Sequence, residues 1–165
     1  NGTAYFAEKD LAIFTINSER YCFNERGEMQ TGLQSLKQAD GSFASYYFGD
    51  DGVMRTGKQT IYNDDLEENQ IWYFQTKGSL KGQGYHGERD NQVYVNGLLK
   101  KADPELRYEP VSIGEKRYLV NTSGTIQKAT SSSSSASRPE LGKGFKDIKD
   151  SNDTVWTVDT SGIIQ

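Results

Sequence analysis

The chain has 165 residues, a formal net charge of −4 and a hydrophobic fraction of 34%, well below the ~45–50% usual for globular chains, which excludes a thick apolar core. Dispersed positive residues on an acidic chain exclude nucleic acid and anionic membrane surfaces as expected partners. No apolar run approaches the ~18 residues needed to cross a bilayer, so no membrane insertion is expected, and the single Cys22 cannot form an internal disulfide.

Aromatic residues make up 12%, led by ten tyrosines, so burial is expected to be aromatic and local. In chain order, Gly2 and Ala4 stand where Gly27 and Met29 stand one period later, so the chain is expected to begin inside a hairpin turn. The apolar run Leu-Ala-Ile-Phe-Thr-Ile at 11–16 predicts a buried strand. Tyr21-Cys22-Phe23 follows, with Gly27 and Met29 behind it, and then a polar strand at 31–36. The clearest unit runs from Tyr46-Tyr47-Phe48 through Gly52 and Met54 to Gly57. An aromatic strand, a glycine-closed turn and a short apolar return read as a β-hairpin.

Thr56-Gly57-Lys58-Gln59-Thr60-Ile61 repeats the intervening strand. The acidic loop after it carries Asp64, Asp65, Glu67 and Glu68 without the alternating ligands of a calcium loop, so a solvated loop is expected. Trp72-Tyr73-Phe74 leads to Gly78 and Leu80. Val93-Tyr94-Val95-Asn96-Gly97-Leu98-Leu99 is a shortened copy whose Asn-Gly is a strong two-residue hairpin signal. Tyr118-Leu119-Val120 leads to Gly124 and Ile126, and Trp156-Thr157-Val158 to Gly162 and Ile164.

The strand-end residues Phe23, Phe48, Phe74, Val95, Val120 and Val158 are spaced by 25, 26, 21, 25 and 38 residues. Periods in this range mean stacked supersecondary units. The expected fold is all-β, a solenoid of about six β-hairpin repeats with a period of 21–26 residues, forming one array over 1–165 truncated at both ends. Apolar residues do not recur at helical spacing over any long window. The last spacing exceeds the one before it by 13 residues. That excess fits the segment 129–139, with serine at 131–135, as a loop inserted in a repeat, or as a linker to a last repeat at 143–165.

Catalytic chemistry finds few candidates. His86 is the one histidine, and zinc sites or nucleophile–base pairs need further partners. The pairs Asp50-Asp51 and Asp64-Asp65 lie in turns, not across a cleft as glycoside hydrolysis requires. The chain is expected not to be an enzyme and to use no metal or cofactor. Tyr46, Trp72, Tyr118 and Trp156 read first as core residues, and those left open to a groove would stack on sugar faces. The candidate ligand-binding residues are Trp72 and Tyr85, then Tyr46 and Tyr47, with Gln59 and Gln83 as polar neighbours. Tyr85 lies in the glycine-rich stretch 82–87, where backbone can approach a ligand.

Thr-Gly-x-Gln-Thr-Ile followed by Trp-Tyr-Phe and Gly-x-Leu resembles the cell-wall-binding or glucan-binding repeat superfamily of Gram-positive bacteria. That superfamily includes choline-binding surface proteins, glucan-binding domains of glucansucrases and repeats of large clostridial toxins. The resemblance implies a β-solenoid with ligands in grooves between hairpins, and a secreted or cell-surface protein. Choline-binding repeats place tryptophan after the second glycine, where this chain has Leu33, Lys58, Tyr85, Val111 and Phe145. They place another at the head of the aromatic strand, where it has Arg20, Ser45, Ile71, Arg117 and Val155. A quaternary ammonium needs a cage of electron-rich rings that these residues do not build. The expected function is therefore a non-catalytic module for a cell-wall or other extracellular glycan. The alternative is a structural spacer or adhesion surface for host or neighbouring surface proteins.

Overall fold

The computed structural model describes residues 4–165, so the expectation for Gly2 lies outside the described residues. The strands in chain order are β1 (Leu11–Ile16), β2 (Glu19–Asn24), β3 (Met29–Gln30), β4 (Gly32–Lys37), β5 (Phe43–Phe48), β6 (Met54–Arg55), β7 (Gly57–Asn63) and β8 (Glu68–Phe74). They continue with β9 (Gly87–Arg89), β10 (Gln92–Val95), β11 (Leu98–Leu99), β12 (Tyr108–Ile113), β13 (Lys116–Asn121), β14 (Lys146–Lys149) and β15 (Val155–Val158). Among the described residues the one departure from all-β structure is a 3-10 turn at Pro139–Leu141, and no helix is long and apolar enough to cross a membrane.

The chain divides into two compact units. One comprises residues up to 85 with 96–98. Its sheets are β1-β2-β3, β4-β5-β6 and the pair β7-β8, with Leu98 opposite Trp72 on the free side of β8. The other comprises 86–95 with 99–165 and holds the antiparallel pairs β9-β10, β12-β13 and β14-β15. All named pairings are antiparallel, and none of these sheets closes into a barrel.

Local chemistry explains the hairpins. β7 alternates half-buried and exposed at every residue, the signature of a strand with one covered face. Asn17-Ser18, Asp90-Asn91 and Asn96-Gly97 close two-residue turns with both residues at positive φ, the geometry that matches strand twist. The longer turns share a device that glycine spacing does not reveal. In three of them Asn24 and Asn121, the last residues of β2 and β13, and Asp159, just after β15, each accept two backbone N–H groups of the turn through a side-chain oxygen: Arg26 and Glu28, Ser123 and Thr125, Ser161 and Ile163. Asx side chains capture backbone donors this way. Gln30, Gln127 and Gln165 then donate to the carbonyls of Glu28, Thr125 and Ile163, closing the far side.

The coupling of each turn glycine to an apolar residue has a packing cause. A methyl added at Gly52 would fall on the Met29 sulfur, at Gly82 on Met54, at Gly124 on Leu99 at 3.2 Å, and at Gly162 on Ile126. Within each unit, the apolar residue of one turn fills the space over the next turn's glycine. The third turn corrects the expected register. Gly78 has no atom within 4 Å of an added methyl and Leu80 is 47% exposed. Gly82 is the seat instead, and Phe74 bridges Gly84 where Phe48 pairs with Met54. This turn is longer, closed by Gln75 N–H to Gln83 and Gly82 N–H to Gln75.

The core is a series of small clusters. Cys22, Leu36, Tyr46, Phe48 and Met54 pack together in the first unit. In the second, Tyr118 and Val120 join Val93, Val111 and Ile126, while Leu119 joins Ile148 and Val158, so β13 is covered on both faces. Burial pushes the Cys22 thiol up to about 11, which makes it an inert thiol.

The serine segment is tied to the second unit. Ala129 N–H donates to Asp159 O, Gly144 N–H to Ser133 O, and Ser134 bridges Lys143. Asp147 accepts the Ser135, Ser137 and Thr157 hydroxyls and the Ser137 N–H, with Ser135 and Thr157 buried. The Ser135 hydroxyl first, then the Ser137 and Thr157 donors, lower its carboxyl to about 2 despite opposing desolvation. An ordinary aspartate titrates near ~3.9, so this contribution is complete above about pH 4 and is lost as pH falls toward 2. Asp147→Asn is expected to cost about 1–2 kcal/mol at pH 7, with the gap to wild type closing near pH 2. Urea midpoints at the two pH values check this, and a gap independent of pH would refute it.

Candidate functional site

β8 carries the aromatic candidates on both faces, because successive residues of a strand point to opposite sides. On one face Trp72 stacks on Phe74 with centroids 6.0 Å apart and planes 3° from parallel. Phe74, fully buried, stacks in turn against Tyr47 of β5 at 6.1 Å and 18°. Gln59 is directly opposite Trp72 on β7 and Leu98 opposite it on the other side. The result is a row of three rings, its ends Tyr47 and Trp72 half-buried. Buried Trp72 Nε1 has no hydrogen-bond partner among the described residues. A buried indole N–H left unmet costs ~1–3 kcal/mol and is normally satisfied.

On the opposite face Tyr73 meets Tyr85 edge-on at 6.1 Å and 85°, and Tyr85 N–H donates to Tyr73 O. The two leading candidates, Trp72 and Tyr85, are therefore one residue apart in pairing but on different faces. Gly87 rather than Gly84 opens the next strand, as Gly32 and Gly57 open β4 and β7. Glu88, not Tyr85, thus follows the strand-opening glycine, which corrects the positional argument for Tyr85.

The remaining candidates are placed as follows. Tyr46 is buried at 8% exposure in the first cluster, facing away from Tyr47. Gln59 Nε2 donates to Thr56 O, as Gln34 Nε2 does to Thr31 O, so each ties its strand to the residue just before it. Gln83 Nε2 donates to Gln38 Oε1.

A second aromatic group joins Phe23 of the repeat spacing to two rings that the spacing did not single out. Tyr5, Phe14 and Phe23 have centroids 5.5–6.0 Å apart, beside a concavity lined by Ala4, Phe6, Glu8, Lys9, Ala12 and Phe14. Alternation along β1 and β2 puts Ala12, Phe14 and Phe23 on one face, a signal the sequence contained. In the second unit, Arg117 lies over Trp156 at 5.6 Å, and Trp156 Nε1 donates to Asp150. That ring face already carries a cation of its own chain.

No family model matches the chain, and no curated protein matches it. The structural neighbours are choline-binding protein repeat structures. CbpF in complex with ipratropium aligns at 19% identity with a TM-score of 0.50, covering 95% of this chain and 38% of that one. Choline binding protein F from Streptococcus pneumoniae aligns at 20% identity and 0.48, covering 95% and 40%. CbpJ from Streptococcus pneumoniae TIGR4 aligns at 17% identity and 0.48, covering 98% and 48%. The chain thus spans under half the length of each, and the likeness is one of fold.

Proposed function

We propose that this chain is a non-catalytic glycan-binding module of a larger secreted or surface protein of a Gram-positive bacterium. Its architecture, on this reading, is a solenoid of about six stacked hairpins over 1–165, with 129–139 an inserted loop. The glycine seats that receive Met29, Met54, Leu99 and Ile126 support stacking of each repeat on the next within its unit, as does the fold likeness to CbpF. The extracellular location rests on the sequence resemblance.

The observation that carries the ligand reading is the ring row Tyr47–Phe74–Trp72. Half-buried aromatic faces suit the apolar C–H faces of sugars, and Tyr47 and Trp72 are both half-buried. Tyr85 with Tyr73 offers a second surface, in keeping with several weak sites acting together. Aspartates 40, 51, 147 and 150 have pKa values displaced downward by hydrogen bonds from nearby hydroxyl, backbone, Arg55 and Trp156 donors. Such carboxylates stay ionised and suit structure, not general acid catalysis. Purified Gram-positive cell walls and insoluble α-glucan are expected to sediment the protein. Trp72→Ala should lower the sedimented fraction several-fold, and no sedimentation with either polymer would refute the reading.

A protein-facing surface is the second reading. Phe43, Tyr62 and Leu66 are 59%, 56% and 59% exposed at or beyond the outer ends of β5, β7 and β8, where apolar area is available to a protein partner.

A further inference from the structure

Away from the aromatic row, the first unit contains a polar cavity lined by Ser18, Glu19, Arg20, Met54, Thr56 and Lys81. Ser18 belongs to the β1–β2 turn, Arg20 to β2, Thr56 to the link between β6 and β7, and Lys81 to the lengthened third turn. Arg20 Nη1 lies 3.4 Å from the Lys81 carbonyl, a long exposed contact that places the guanidinium beside that turn and leaves its other N–H groups for a further acceptor. The ion pairs among the described residues are Arg26–Glu28, Arg55–Asp51, Arg89–Asp90 and Arg138–Glu140. Arg20 and Lys81 belong to none of them. Two cations and two hydroxyls share the cavity with one carboxylate, Glu19, while buried Met54 contributes apolar surface.

We propose that this cavity binds an oxyanion, a phosphate or carboxylate group carried on an anionic polymer. A guanidinium fork reads two oxygens of such a group, an ammonium adds a mobile charge, and hydroxyls donate to the remaining oxygens. On a chain of net charge −4, attraction of an anion needs a local cationic site, because distant charges are screened within about 10 Å at 0.1 M salt. The proposal goes beyond the glycan reading, since it rests on charge and requires no ring stacking.

The test is an NMR titration of the backbone amides of residues 18–20, 54–56 and 81 with inorganic phosphate, glucuronate and neutral glucose. Saturable shifts with phosphate, glucuronate or both, and none with glucose, are expected; the anion that responds identifies the source. Arg20→Gln with Lys81→Gln should weaken anion binding at least about tenfold with the thermal midpoint unchanged. Lys81→Gln alone, at an exposed residue, gives a smaller loss if the double variant misfolds. Absence of saturable shifts with both anions, or equal affinity in the variants, overturns the proposal. Phosphate binding without sedimentation on neutral α-glucan or cell walls sinks the glycan reading alone, and the reverse pattern sinks this one alone.

Discussion

Gly84→Ala is expected to destabilise the first unit by about 3–5 kcal/mol, a large part of the ~5–15 kcal/mol available to a domain. The added methyl would meet the Asn96 carbonyl, with the Asn96 carbonyl carbon at 2.6 Å and Gly97 N at 2.9 Å. These are backbone atoms, so no side chain can swing aside. The backbone is held by Gly84 N–H to Ser45, Gly97 N–H to Tyr85 and Tyr73 N–H to Gly97 at 2.7–2.8 Å. Moving it lengthens several hydrogen bonds, each worth ~1 kcal/mol net. Gly78→Ala is the control: its methyl has open space, leaving only the strain of φ +80°, roughly 1–2 kcal/mol. Urea unfolding of both variants decides it, and equal losses would contradict the packing account.

Phe74→Ala is the second large effect, about 3–5 kcal/mol for a fully buried ring. Phe74 is 0% exposed and is stacked against both Trp72 and Tyr47. Deletion therefore removes two ring pairs as well as buried area, each pair worth ~0.5–1.5 kcal/mol. Phe74→Leu keeps much of the volume and should cost less than half as much. A loss below about 1 kcal/mol for Phe74→Ala would mean that the ring row is not a structural spine.

The hairpin units were legible because the residues that make them are local. Tyr46-Tyr47-Phe48 with Gly52 and Met54 forms β5, a turn and β6 as the spacing requires. The acceptors Asn24, Asn121 and Asp159 directly follow Phe23, Val120 and Val158, but Gly49 and Gln75 stand at the same place after Phe48 and Phe74, so the device does not share the period of the aromatic and glycine residues. The third turn misled because Gly78 and Leu80 mimic the usual spacing, while the functioning seat Gly82 is identified only by its contact with Met54. The site residues depended on pairing. Alternation puts Trp72 and Tyr73 on opposite faces, but only the long-range contact of Tyr85 with Tyr73 reveals which face Tyr85 joins. The serine segment was compositionally bland; its order depends on Asp147, a residue 12 positions beyond Ser135.

Tryptophan fluorescence tests the central claim most directly, because Trp72 stands at the end of the ring row and Trp156 is covered by Arg117. In a Trp156→Phe background the emission reports Trp72 alone. Titration with soluble α-gluco-oligosaccharides and with muropeptide fragments should give a saturable change with at least one of them, weakened several-fold by Tyr47→Ala. Emission that stays constant with every oligosaccharide, from a protein whose thermal unfolding is unaltered, would contradict the glycan-binding account.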